Sequence, residues 1–463
     1  MSVYRAAVAR RRWVDVSRVL DGRSDSLFVS ASALLVVAAG AWLGVQLTNP
    51  GAPIETSVAA AGAAGFAILV GFVLAAPMAM FATAFALLAF VIMEPAPVDV
   101  VFLLMITLTV AARVVDPLVP GAITMLLALY VALTLLSIVN AADAVESVRF
   151  ELITLYLVVL GVWLTWMFRD PRATRLAITA YTLAAAVTAG VSTLARFVPF
   201  PGGDVLLYDE FRVQGLFQDP NVFAAFLVPA AAIVLEEIAR PRLFPWGRRV
   251  SAVLFMTLVT GTIVAFSRAG WLNLFLACTT VILVTTFRRG GIRQVARVAG
   301  VILVTAVAGV ALLVSTGSLD FLQQRSKLES YDKDRFGAQE SAFAGMTDFV
   351  LGHGPGQVEG GLDIATHSMY ARSAYEQGVL GLVLVSTLMV ATLAFAWGLA
   401  RRDVEVNGVG SAALLGSWVG LIASGFFIDT LHWRHLWVVA ALIWLGAASP
   451  VVRGSPATGT APR

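Results

Sequence analysis

Charge is scarce in this sequence. Of its 463 residues only 13% are Asp, Glu, Lys or Arg, about half the share that a water-soluble domain needs to wet its surface. A soluble multidomain protein is thereby excluded. Cysteine is scarcer still. Cys278 stands alone inside an apolar run, which rules out an intramolecular disulfide and a cysteine-ligated zinc cluster. There is no Gly-x4-Gly-Lys-[Ser/Thr] loop, the backbone cradle that P-loop ATPases use for phosphates, so ATP-driven transport is excluded. No internal repeat of fixed period is found.

Apolar residues take the place of charge. They make up 59% of the chain, with a mean hydropathy of +0.85, and they gather in runs suited to a bilayer core of about 30 Å. Such runs lie near Leu27–Leu47, Val58–Ala75, Pro77–Met93, Val98–Ala112, Val119–Asn140, Val148–Phe168 and Arg172–Phe197. Others follow near Val222–Leu235, Val250–Phe266, Trp271–Phe287, Val298–Ser315, Tyr375–Leu399, Gly410–Ile428 and Trp433–Ala448. The pattern predicts an all-α polytopic integral membrane protein with about 14 transmembrane helices, and no fewer than about 12.

The arginines orient it. Arg5, Arg10, Arg11, Arg12, Arg18 and Arg23 crowd the first 26 residues with no apolar core between them. This reads as a basic cytoplasmic tail, not a cleavable signal peptide, and beside so hydrophobic a body not a nucleic-acid arm. The clusters at 169–175, 240–249, 288–297 and 401–402 then all face the cytoplasm, so that roughly two thirds of the 32 basic residues lie inside. Both termini are expected there. The chain divides on this reading into the tail (1–26), N-terminal membrane helices (27–197), a second membrane region (198–449) and a disordered Gly/Ser/Pro/Thr-rich tail (450–463). The second region includes one long extracytoplasmic loop (316–374). The stretch from Val250 to Phe287 would make a helix of about 57 Å, too long for one crossing; a tight turn over Ser267–Gly270 resolves it.

Three segments therefore share the outer face, and they hold the polar chemistry. The first contains Arg212-Val213-Gln214-Gly215-Leu216-Phe217-Gln218-Asp219-Pro220-Asn221, and the second is the Ser267-Arg268 turn. The third ends in Gly352-His353-Gly354-Pro355-Gly356 and His367-Ser368, followed after nine residues by Gly378-Val379-Leu380-Gly381. An arginine at a membrane edge is costly to desolvate and pairs with an acid or binds an anion. In this order the Arg-x-x-Gly-x-Phe-x-x-Pro-Asn run, the Ser-Arg between spans, the Gly-x-Gly-Pro-Gly and the His-Ser-x9-Gly-x-x-Gly resemble the bacterial O-antigen ligase and polysaccharide polymerase superfamily. The resemblance covers Arg212 to Gly381; the N-terminal spans match only in hydrophobicity.

What the resemblance implies is glycosyl transfer at the outer face of a bacterial inner membrane. The donor would be a glycan on a polyprenyl (undecaprenyl) diphosphate, and the acceptor a hydroxyl on another glycan or on a lipid anchor, with other polysaccharide-assembly proteins as further candidate partners and with no nucleic acid. It makes Arg212 and Arg268 diphosphate ligands, since a guanidinium pairs bidentately with phosphate oxygens and keeps its charge. The alternative is a snorkelling arginine or one paired with Asp209 or Glu210. His367 would be the general base, its neutral form favoured by the flanking arginines, or else a residue that starts the next helix. Arg335 would be a further loop arginine on the diphosphate, or a solvated charge paired with Asp332 or Asp334.

Supporting roles in sugar or acceptor binding fall to Asp219, Asn221, Tyr370 and Glu376, with Gln218 beside them. Asp219-Pro220-Asn221 also suits a helix start, and Glu376 either orients His367 or ends a helix. His353 reads as a turn residue. His432 and His435, at i and i+3, lack a third metal ligand nearby, and the eleven tryptophans read first as interface anchors. No cofactor is expected. With no paired-aspartate motif in the outer segments, the reaction is expected to be metal-independent, the guanidiniums serving in place of a cation, and to invert the anomeric centre. Polymerase and ligase stay open together. The rival is a polysaccharide transporter or lipid-linked sugar flippase, which would place ionisable groups at mid-membrane. The loop 316–374 is expected to fold into short helices over the site.

Overall fold

The computed structural model describes residues 65, 67, 69–287, 300, 330–362 and 365–449. The basic tail, the spans expected at Leu27–Leu47 and Val298–Ser315, half of the span expected at Val58–Ala75, the arginines of 288–297 and the tail from 450 lie outside the described residues. Among the described residues, six helices are long and apolar enough to cross a membrane, and four shorter apolar ones accompany them.

The chain forms two compact units. In the first, α1 (Pro77–Leu87) packs on α2 (Pro97–Ala111). Pro97 starts α2 with its φ already set for a helix, and the Asp99 carboxylate accepts the Ala96 N–H at 2.9 Å, satisfying a donor the first turn leaves open. Phe85 meets Phe102 edge to face at 5.8 Å, which joins the two helices.

The second unit, residues 88–94 and the chain from 117 onward, begins with α3 (Gly121–Ser137), α4 (Ala144–Met167), α5 (Pro171–Phe197), α6 (Pro220–Ala239), α7 (Arg248–Val264) and α8 (Arg268–Phe287). It continues through α9 (Ser330–Gly345), the short α10 (Val358–Gly361), α11 (Met369–Arg401), α12 (Ser411–Ser424) and α13 (Arg434–Ala448). The sequence marks the starts of α5 and α6 with Asp-Pro pairs. Asp170 and Asp219 accept the N–H groups of Arg172 and Asn221 at 2.8 and 2.6 Å.

Helix α6 is the centre. Every residue from Phe223 to Ala239 is buried, and α5, α7, α8 and α12 pack around it. Its C-terminal end carries two buried carboxylates that accept backbone N–H groups. Glu237 accepts from Arg242, Leu243 and Phe244, and Glu236 accepts from Ala413 at 2.6 Å. A buried carboxylate is tolerable on these terms, and the pair fastens α6 to the start of α12.

Three local findings depart from expectation. A two-stranded antiparallel hairpin, β1 (Glu405–Val406) and β2 (Val409–Gly410), interrupts the helices. Asn407 and Gly408 turn it with φ of 51° and 94°, the left-handed pair that Asn-Gly adopts at least cost. Trp163, Trp418, Trp437 and Trp444 are fully buried instead of lying at an interface. Their size fills helix junctions, and the indole N–H of Trp418 and of Trp437 finds a carbonyl, on Met389 at 3.0 Å and on Leu431 at 2.8 Å. Finally, the break after α7 falls at Ala265–Ser267, so that Arg268 already begins α8.

Candidate active site

Arg212 sits in a small closed loop. Asp209 Oδ1 accepts the backbone N–H of Phe211 and of Arg212, each at 2.8 Å, and Leu207 pairs with Val213. Asp209 thus holds the backbone of Arg212. The guanidinium lies over the Tyr208 ring, 5.3 Å from its centroid, and its Nε donates to Ala265 O at 3.3 Å. The Val213 N–H reaches Val264 O at 3.3 Å. The Arg212 loop is therefore laid against the break that precedes Arg268.

That break is strained and doubly tied. Phe266 has φ of 49°, a left-handed conformation that a bulky residue keeps only where its surroundings enforce it. Ser267 Oγ donates to Asn221 Oδ1 at 2.7 Å and accepts the Gly270 N–H at 3.1 Å. The start of α8, with Arg268, is thus bonded to the start of α6, where Asp219 is the cap.

Helix α9 carries Arg335 to the α12–α13 connection. Its guanidinium donates to Phe427 O, while Gln339 Nε2 donates to Thr366 O at 3.0 Å and to Phe426 O at 3.3 Å. The described part of the expected covering loop thus begins with a helix that reaches Thr366 and the α12–α13 connection.

His367 follows directly. It is half-buried, its φ is 46°, and it precedes Ser368, whose hydroxyl caps α11 by accepting the Ala371 N–H at 3.3 Å. Burial first, then the positive charge of Arg335, push the His367 imidazolium below the usual histidine range; Asp219 and Glu359 oppose them, and Arg372 adds to the lowering. A neutral ring with a free lone pair accepts a proton. His367 thus feels charges from three other stretches of the chain, those of Asp219, Arg335 and Glu359.

The His-Ser-x9-Gly-x-x-Gly spacing acquires a physical meaning here. Helix α11 is broken at Gly378, whose φ of 67° and ψ of −164° only glycine adopts readily. The nine residues between Ser368 and Gly378 are a half-helix, Met369–Gln377, that ends where the membrane-crossing part begins. The Gly352–Gly356 loop closes over its end. His353 and Gly354 donate their N–H groups to Tyr375 O and Glu376 O at 3.0 and 2.9 Å, and a Cβ on Gly352 would come within 2.4 Å of Glu376 O. His353 stacks on Tyr375 at 4.0 Å, in keeping with a structural role.

The half-helix also carries a feature that the motifs did not point to. Arg372 is buried, yet its guanidinium meets three carboxylates: Glu359 on α10, Glu376 at 3.0 Å and Asp429 at 2.9 Å. Asp429 Oδ2 lies 2.8 Å from His432 Nδ1, and the Arg372 guanidinium lies over Phe150 at 4.8 Å. Burial alone would raise the Asp429 carboxyl, but His432 and Arg372 beside it hold it down at about 2. Glu376 Oε1 also accepts the Gly356 N–H at 3.0 Å. Among the candidates for sugar contact, Glu376 is thus buried in this network. Tyr370 is packed on Phe426 at 4.3 Å with its hydroxyl donating to Ile422 O at 3.4 Å. Asp219 and Asn221 remain half-exposed at the α6 start. His432 is engaged by Asp429, and His435 is buried against Phe226 and Trp433.

No curated protein matches the sequence. A protein-family model does match over residues 252–386, a stretch that takes in Arg268, Arg335, the glycine loop, His367 and the break at Gly378 and that begins after Arg212 and Asn221. Residues 252–386 match the O-antigen ligase family, in agreement with the resemblance that the order of the motifs suggested.

Proposed function

We propose that this protein is a membrane glycosyltransferase of surface-polysaccharide assembly, which moves a glycan from a polyprenyl (undecaprenyl) diphosphate to an acceptor hydroxyl at the outer face of the cell membrane. The observation that carries it is the tie of the Arg212 loop and of the Asn221 helix start to the break that precedes Arg268. The charges of Arg335 and Asp219, which act on His367, support the assignment of the base. The family match supplies the reaction class.

In this reading the donor diphosphate lies against Arg212, Arg268 and Arg335. The acceptor hydroxyl gives its proton to the neutral His367 ring as its oxygen bonds to the anomeric carbon. The bond from that carbon to the diphosphate oxygen breaks, and the departing charge stays with the guanidiniums. A single displacement of this kind inverts the anomeric centre. The three arginines do electrostatically what a divalent cation does elsewhere, so turnover is expected to continue in EDTA.

The test is turnover by the purified protein in lipid nanodiscs, supplied with a polyprenyl-diphosphate glycan and acceptor, and followed by release of polyprenyl diphosphate and growth of the glycan. Loss of all turnover in EDTA with recovery in magnesium would overturn metal independence. Movement of the lipid-linked sugar between leaflets without a new glycosidic bond would establish the flippase instead. In the host, inactivation should leave single repeat units on the carrier if the acceptor is another lipid-linked unit, and completed chains if it is a lipid anchor.

A further inference from the structure

We propose that Arg372 is a positioning residue for His367, its buried guanidinium tying the half-helix Met369–Gln377 to Glu359 and Asp429 and so holding in place the imidazole at the head of that half-helix. Three observations carry this. The half-helix is set off from the membrane-crossing helix by Gly378, so helical continuity alone does not hold it. Its first turn is docked on the α12–α13 connection, where Gly425 O accepts the Met369 N–H at 3.0 Å and the Ser368 hydroxyl at 3.3 Å. Arg372, one turn further on, completes the dock. Nε faces Asp429 at 2.9 Å on that same connection, and the two remaining nitrogens face Glu376 and Glu359.

A planar guanidinium can meet three carboxylates along three edges, which an ammonium cannot. Its burial makes the arrangement demanding, because removing one partner strands the others in a poorly hydrated place. Neither the glycosyl-transfer reading nor the motifs assign Arg372, Asp429 or Glu359 a part. The inference rests on His367 acting as the base.

The charges that face His367 come from four elements: Arg335 on α9, Asp219 before α6, Glu359 on α10 and Arg372 on α11. Arg372 and Glu359 therefore act on the imidazole with opposite sign, and this separates positioning by charge from mere support of the fold. In Arg372→Gln the loss of a nearby positive charge lets the ring hold its proton to higher pH. The acid limb of the kcat–pH profile should move up by about half a pH unit. In Glu359→Gln, where the replaced side chain is half-exposed, the same limb should move down. Arg372→Lys should leave the limb in place and lower kcat by about tenfold, since charge is kept and the three-edged contact is lost.

The decisive measurement pairs these profiles with 15N spectra of the ring nitrogens. The chain has four histidines, and His367→Gln assigns the relevant signals. Opposite shifts in Arg372→Gln and Glu359→Gln, in the profile and in the ring signal alike, support the proposal. Shifts of the same sign in both, or none in either, overturn it. If Arg372→Gln does not fold, Glu359→Gln and Arg372→Lys decide: an unmoved ring signal in Glu359→Gln overturns the proposal. Should His367→Gln keep full turnover, the base lies elsewhere and the catalytic reading fails, while the ring titrations still report whether Arg372 governs His367.

Discussion

The hydroxyl of Ser267 donates to Asn221 Oδ1 at 2.7 Å, which fastens the first turn of α8 to the first turn of α6. Because Arg268 is the next residue, this bond fixes where that guanidinium leaves the helix. Ser267→Ala removes the donor and also the acceptor for the Gly270 N–H. We expect a loss of about 1–2 kcal/mol in stability and a drop in turnover larger than in variants of exposed serines. Thermal unfolding in detergent and turnover in nanodiscs check both.

His367→Asn should fold, because asparagine accepts the left-handed backbone at φ of 46°, and should lose turnover by about a hundred- to ten-thousandfold, the usual worth of a general base. His367→Val should in addition lose stability, since a β-branched residue is strained there. Near-normal product from the asparagine variant would move the base to another group.

Activity should stay high into mild acid. The His367 imidazolium is pushed below the usual histidine range by burial and by Arg335, so the neutral, proton-accepting ring persists below the pH at which an exposed histidine charges. The sign for stability is the same. The unfolded chain takes up this proton at a higher pH than the folded one, so the contribution is complete above the unfolded histidine value, near 6.5, and fades as pH falls through the lowered folded value. Kinetics over the range from pH 4 to 8 in the wild type, compared with Arg335→Gln, should show the acid limb moving upward in the variant.

Arg212→Lys and Arg268→Lys should each lower kcat/KM by at least about tenfold, because a point charge does not reproduce the planar fork on a diphosphate. Binding of a non-hydrolysable polyprenyl-diphosphate analogue, followed by calorimetry, should weaken in parallel. Unchanged binding in both would leave the diphosphate without its proposed ligands.

The long helices were legible because their apolar runs exceed what a soluble core requires and because Asp170-Pro171 and Asp219-Pro220 announce their own starts. That the Arg212 loop lies against the break before Arg268 was legible only through the order of the motifs. Local sequence carries no distance between stretches so far apart. Arg372 escaped notice for the same reason: its partners Glu359 and Asp429 lie in other segments, and a lone arginine near a helix start looks like a solvated charge. Gly378 was visible as a glycine at fixed spacing, but the break it makes was not, since the apolar pattern runs on through it. Trp163, Trp418, Trp437 and Trp444 depart from the interface reading because a buried indole has the same sequence signature as one at an interface.

Gly378→Ala should be far more damaging than Gly398→Ala. The first forces a side chain into a conformation that costs on the order of 1–3 kcal/mol, whereas the second lies in a helical stretch with nothing near its Cβ and should be neutral or slightly stabilising. Thermal midpoints of the two purified variants compare them directly.

The interruption at Gly378 turns the motif spacing into a ruler. One residue inserted between Ser368 and Gly378 would turn His367 by about 100° and shift it by about 1.5 Å relative to the break, setting the Gly425 and Asp429 contacts of the half-helix out of register with the break, whereas the same insertion after Arg401 would leave both in step. The count of nine is the length of helix that the docking contacts and the break must share.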